Sequence, residues 1–261
     1  MITRTVKTAF GEISLPETKR AIRDNLRITW HWSGTPYKAI DPCKAVYHFL
    51  VDKNGGVHQG VRVGKNLTAR TGKLPSGYAR HVRRGNSNNI GISAISMGGA
   101  SEKQAAKGNY GRFPITSQQV AAMVEVTAQI CLFYSIPVVP QRVLVHCEWS
   151  SVRRVRQSGK WDINCIPHLD LRPKQNPDGT FDSANHLRRL TAYRVAELTR
   201  THQPELFDQY KGIAVHYNAF LSSAKEANLP QSAINEIERL SRLDPFYLIA
   251  ATDVSRRHGA N

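Results

Sequence analysis

The chain has 261 residues, of which 41% are hydrophobic, so it can bury a substantial core in one large domain or in one domain with a smaller appendage. No segment has the apolar run of a signal peptide or the roughly 20 apolar residues of a membrane span, so we expect synthesis in the cytoplasm and no span. The 36 Lys and Arg residues outnumber the 20 Asp and Glu residues and give a net charge of +16. That charge indicates a polyanionic partner: nucleic acid, an anionic membrane surface or an anionic cell envelope.

Short β-prone segments come first along the chain. Residues 28–33 form one, and residues 47–51 and 57–63 flank an Asn-Gly turn signal that predicts a hairpin. Residues 89–96 are nearly continuously apolar, which predicts a strand in the centre of a sheet.

A long helix is predicted next. Thr116 and Gln119 form a capping box, and apolar residues recur at helical spacing as far as Tyr134. A further strand is predicted over residues 139–146. Strands that alternate with a helix in this way indicate an α/β fold, with a central mixed β-sheet flanked by helices.

The segment 170–183 is rich in Pro, Asn, Asp and Gly and predicts a boundary. We expect a sheet-based domain over residues 1–184. Residues 185–261 carry apolar residues at helical spacing and predict a helical C-terminal region, which either binds the partner surface or packs on the first domain.

The four cysteines are widely spaced and form no Cys-x-x-Cys pair, which argues against a disulfide framework or a four-cysteine zinc knot. Three of them are expected to be small buried apolar groups: Cys43, Cys131 and Cys147. A catalytic zinc site instead needs three ligands and one open position. Residue types that suit it lie at the ends of predicted strands or soon after: His31, His146, Asp162 and Cys165.

Five segments in order carry a family resemblance over residues 25–173. They read ITWHWSGTP, YHFLVDKNGGVHQG, NSNNIGISAISMGG, VLVHCEWS and GKWDINCIPHLD. Together they resemble the type 2 N-acetylmuramoyl-L-alanine amidases, a family that includes short phage lysozyme-amidases and the peptidoglycan recognition proteins.

The resemblance implies a Zn²⁺ site held by His31, His146 and Asp162, with Cys165 as the alternative third ligand. It places Tyr47 and Lys160 beside the reacting centre. Lys160 would stabilise the developing oxyanion, and Tyr47 would position or deprotonate the water.

The resemblance also implies roles for further residues. Glu148 is expected to orient a ligand histidine. Arg70, His81 and Asn86 are expected to contact substrate, with His81 at the surface or at the substrate rim. Ser93 stands where many relatives carry Glu, which is the proposed base there. In this chain the resemblance therefore implies that Tyr47 serves in proton transfer.

The resemblance implies hydrolysis of the bond between N-acetylmuramic acid and L-alanine in peptidoglycan by a phage-type endolysin. We expect a monomer that acts on the cell wall after release by another factor and is held there by the anionic envelope. Two alternatives stay open: a non-catalytic peptidoglycan-binding recognition protein and, less favoured, a nucleic-acid-binding protein. No helix-turn-helix, RNP or zinc-finger pattern is apparent in the sequence, so specific nucleic-acid binding is not expected.

Overall fold

The computed structural model describes residues 2–68 and 74–202. By contacts between Cα atoms the chain divides into two units, residues 1–188 and 189–261. The candidate site lies within the first unit, and the predicted helices beyond residue 202 lie outside the described residues.

The strands are β1 (Thr3–Thr8), β2 (Gly11–Pro16), β3 (Arg27–Trp32), β4 (Phe49–Val51), β5 (Val57–Gln59), β6 (Asn89–Ala94) and β7 (Val143–Val145). The α-helices are α1 (Arg20–Arg23), α2 (Ile40–Cys43), α3 (Glu102–Ala105), α4 (Ser117–Tyr134), α5 (Glu148–Ser151) and α6 (Asp182–His202). Short 3-10 helices occupy Val63–Lys65 and Pro167–Leu169.

Five strands form a mixed sheet in the order β5-β4-β6-β3-β7. β6 runs parallel to both β4 and β3, β7 runs parallel to β3, and β5 is antiparallel to β4. The predicted fold class, the hairpin and the central position of the strand that begins at Asn89 are therefore confirmed.

α4 covers one face of this sheet. Thr116 and Gln119 form the predicted capping box at its N-terminus. Trp30 on β3 donates a hydrogen bond to Thr127 on α4, with 2.7 Å between Nε1 and Oγ1. Because successive strand side chains point to opposite faces, His31 on β3 must face away from α4. The candidate site therefore lies on the other face of the sheet.

Several boundaries differ from the predictions. The strand predicted over 139–146 is limited to β7, because residues 139–142 form a turn in which Arg142 N–H donates to the Val139 carbonyl. Tyr47 precedes β4 and closes the turn after α2 through its N–H and the Cys43 carbonyl. The antiparallel hairpin of β1 and β2 was not predicted. Among the described residues, no helix is long and apolar enough to cross a membrane.

Candidate metal centre

Parallel strand pairing brings His31 and His146 together at one edge of the sheet. His31 is the fifth residue of β3, and His146 directly follows β7, where its N–H donates to the Trp30 carbonyl. Because β3 and β7 run in the same direction, their carboxyl ends meet. Two histidines separated by 115 positions in the sequence (146 minus 31) thus become neighbours, with ring centroids 4.6 Å apart.

Asp162 completes a cluster with the two histidines. Its Oδ2 atom lies 2.9 Å from Nδ1 of His31 and 3.1 Å from Nδ1 of His146. The loop that carries Asp162 is tied to the end of β7, because the Cys147 N–H donates to the Asp162 carbonyl at 2.8 Å. All three side chains are buried, and their donor atoms lie within 4.8 Å of one another. This group can hold a metal ion.

The outer nitrogen of each histidine also has a partner. Nε2 of His31 lies 3.1 Å from Nδ1 of His81, and Nε2 of His146 lies 3.2 Å from Oε1 of Gln157. These contacts leave both Nδ1 atoms facing Asp162. Outer hydrogen bonds of this kind fix the orientation and tautomer of metal-binding imidazoles. Neither partner was predicted as such, and Gln157 carries no sequence signal because it stands in a basic segment.

The protonation states suit a metal ligand set. Burial lowers the pKa of His31 to about 4, with the charge of His146 acting in the same direction. Burial acts to raise the pKa of Asp162, but the charge of His146 and hydrogen bonds from both histidines hold that pKa well below its usual range. At neutral pH, His31 is neutral and Asp162 is ionised, which are the forms that bind metals.

Cys165, the alternative ligand, lies outside this cluster. The group of metal-binding side chains in the described residues contains His31, His146 and Asp162 and not Cys165. Burial raises the pKa of the Cys165 thiol to about 12, so this thiol is protonated at neutral pH when no metal is bound. All four cysteines are buried and free.

Tyr47 and Lys160 both lie near the cluster, but Tyr47 is half-buried and Lys160 is exposed. The Tyr47 ring is 5.1 Å from that of His31, and Lys160 is exposed, with a charge that contributes to lowering the pKa of His31. Burial, and then the charge of Asp162, raise the pKa of Tyr47, while a hydrogen bond with Ser93 opposes them. The phenol is therefore protonated at neutral pH.

In the described part of the chain the Glu148 carboxylate makes no hydrogen bond with His31 or His146, which corrects the expectation for this residue. Its carboxylate accepts hydrogen bonds from both terminal nitrogens of Arg188, at 2.7 and 2.8 Å, and from the N–H groups of Val145 and Phe181. Glu148 and Arg188 are 0% and 5% exposed. This ion pair connects the chain just after His146 to the first turns of α6, so its role is structural.

His81 and Asn86, two of the three residues expected to contact substrate, do not share one environment. His81 is buried, at 5% exposed, so the expected surface or rim position is wrong. Asn86 is half-buried, and its Oδ1 accepts from the N–H groups of His81 and Val82, which stabilises the turn that presents His81. Arg70 lies outside the described residues.

The fold and the site together give a mixed α/β sheet with a buried His-His-Asp cluster at its carboxyl edge, a group that can hold a metal ion. Residues 18–165 match the family model described as Amidase_2, N-acetylmuramoyl-L-alanine amidase. The chain therefore belongs to this family, whose members act on peptidoglycan, and the resemblance found in the sequence is confirmed.

Two solved structures are similar to parts of this chain. The N-acetylmuramoyl-L-alanine amidase LysC from Clostridium intestinale URNW is 19% identical, with a TM-score of 0.33 over 56% of this chain and 80% of that one. The endolysine N-acetylmuramoyl-L-alanine amidase LysCS from the same organism is 18% identical, with a TM-score of 0.32 over 56% of this chain and 79% of that one. No curated protein matches the chain.

Proposed function

We propose that the chain is a zinc-dependent amidase that hydrolyses the bond between N-acetylmuramic acid and L-alanine of peptidoglycan. The observation that carries the proposal is the convergence of two imidazole nitrogens and one carboxylate oxygen within 4.8 Å in a chain of the amidase family. Two histidines and a carboxylate are a usual ligand set for catalytic zinc.

The residues present fit zinc in their chemistry as well as their number. The Nδ1 atoms of His31 and His146 face the centre of the cluster. Nε2 of His31 lies against His81, and Nε2 of His146 lies against Gln157. A neutral imidazole that uses Nδ1 as a metal ligand carries its proton on Nε2 and donates it outward. His81 then accepts at Nδ1 and donates from Nε2 to the Asn89 carbonyl, 3.3 Å away.

Zinc, when bound, supplies Lewis-acid polarisation of the amide carbonyl and a more acidic water. Lys160 donates from Nζ to the carbonyl oxygen as negative charge develops there. Tyr47, whose raised pKa keeps its phenol protonated, orients the attacking water or the carbonyl through its hydroxyl group. Ser93 is the pairing partner of His31 across β3 and β6, and it acts to lower the pKa of Tyr47 against the raising effect of burial.

The biological role that we propose is that of a phage-type endolysin. The family assignment and the net charge of +16 support it, because an anionic wall attracts a cationic enzyme. This attraction should weaken as salt is added.

The test uses the full chain. Purified protein is expected to contain one zinc per chain, to release stem peptides from a soluble muramoyl-peptide, and to stop when a chelator is added. His31→Ala and His146→Ala should abolish both zinc binding and release. His58→Ala is the matched control, because His58 is half-buried and pairs with Asp52 outside the cluster. Release by either cluster variant would contradict the site, and bound zinc without turnover would favour a recognition protein.

A further inference from the structure

Two basic segments beside the candidate metal centre line an open cavity of about 670 Å³. One segment follows His81, and the other belongs to the stretch between His146 and Lys160. The lining residues are Arg83, Arg84, Arg154, Val155, Arg156 and Ser158. A cavity of this size lies in the range of ligand-binding pockets.

The four arginines of this cavity are exposed, and no ion pair joins any of them to a carboxylate within the described part of the chain. Arg153, the chain neighbour of Arg154, adds to this charge. Its effect is seen at Arg27, whose pKa is lowered to about 10 by burial and then by the charges of Arg153 and Arg142. This part of the molecule therefore carries positive charge that the protein itself does not neutralise.

Gln157 holds the two walls of the cavity together. Its Nε2 donates to the carbonyls of Arg83 and Val155, at 2.9 and 3.2 Å, and its Oε1 accepts from the Arg83 N–H at 3.2 Å. The Gln157 side chain is buried and also contacts His146. The arginines therefore project from two backbone segments that Gln157 already holds together, which lowers the conformational entropy lost on binding.

The backbone of the cavity is also unusual. Arg84 and Arg154 have φ angles of 56° and 58°, in the left-handed region that glycine occupies most easily. Arginine at both positions keeps two guanidinium groups on the cavity at some conformational cost, and such cost is found at binding sites.

We propose that this four-arginine cavity binds phosphate groups of an anionic cell-envelope polymer, of the class of phosphodiester-linked polyol chains. Planar guanidinium groups form paired hydrogen bonds to phosphate, and several in one cavity suit a chain with repeated phosphates. Among the described residues that line the cavity, none is an aromatic residue on which a nucleobase could stack, which favours a polymer without bases over nucleic acid. The choice of a wall polymer rests on the proposed function.

The test measures binding of purified poly(glycerol phosphate) to the full chain by calorimetry at several salt concentrations. In Arg84→Gln/Arg156→Gln we expect affinity to fall by about tenfold or more and the salt dependence to lose about two units of slope. Lys7→Gln/Arg20→Gln is the matched control, because it removes two exposed charges that do not line the cavity. Equal losses in the two double variants would overturn the proposal.

Two further measurements separate the outcomes. Turnover of a soluble muramoyl-peptide should be unchanged in Arg84→Gln/Arg156→Gln, because neither side chain belongs to the metal cluster. If the unaltered chain shows no turnover while the cavity variant still loses polymer binding, the proposed function fails and phosphate binding by the cavity stands. A single-stranded oligonucleotide of equal charge is the competing ligand. The assignment to a wall polymer would be overturned if this oligonucleotide bound more tightly than the polymer and lost that binding in the cavity variant.

Discussion

Oε1 of Gln157 lies 3.2 Å from Nε2 of His146, on the side of the ring opposite the nitrogen that faces Asp162. An acceptor there holds the proton on Nε2 and leaves Nδ1 free as a ligand. We expect Gln157→Leu to weaken zinc binding by about 10- to 100-fold. Competition with a chromophoric chelator measures this affinity.

Gln129→Leu is the control for that substitution, because Gln129 is half-buried on α4 and bonds to Glu125. Gln157→Glu keeps an acceptor and should retain more affinity than Gln157→Leu. Zinc affinity that is the same in Gln157→Leu and in the unaltered chain would show that the contact does not position His146.

The third ligand is tested by two substitutions. Asp162→Asn removes the charge that faces both histidines, and we expect loss of stoichiometric zinc. Cys165→Ser should keep zinc at one per chain, because Cys165 does not belong to the cluster of His31, His146 and Asp162. Metal analysis of the dialysed proteins gives the answer. The reverse pattern, with zinc lost only in Cys165→Ser, would assign the site to the thiol.

Tyr47 and Lys160 are expected to act on the reaction and not on metal binding. Tyr47→Phe and Lys160→Met should each lower kcat by about 100-fold or more while zinc content stays the same. Steady-state hydrolysis of a soluble muramoyl-peptide measures kcat. Tyr37→Phe is the control, since the Tyr37 hydroxyl donates to the Pro114 carbonyl away from the cluster. An unchanged kcat in either variant would remove that residue from the mechanism.

The buried pair of Glu148 and Arg188 is expected to contribute to stability. Arg188→Met leaves the Glu148 carboxylate charged and buried, and we expect the free energy of unfolding to fall by about 3–5 kcal/mol. Urea denaturation of the metal-free protein measures it.

The same experiment has an internal comparison. Arg4→Met removes an exposed ion pair with Glu17 and should cost less than about 1 kcal/mol. Glu148→Met/Arg188→Met removes both buried charges and should recover part of the loss. If Arg188→Met cost no more than Arg4→Met, the pair would have no structural role.

Local features of the sequence determined much of this protein. The capping box at Thr116 and the Asn-Gly turn between β4 and β5 act over a few residues, so the helix and the hairpin could be predicted from neighbours in the chain. His31 and His146 could be chosen because each stands in a recognisable strand context, and the family match now covers both.

Tertiary structure decided the contacts between distant segments. It placed Asp162 with the histidines and left Cys165 out, and it paired Glu148 with Arg188, 40 positions away. It also brought His81 and Gln157 to the outer nitrogens of the cluster. Neither residue type signals such a role, because which polar groups become buried together depends on how the loops pack over the sheet and not on any local pattern.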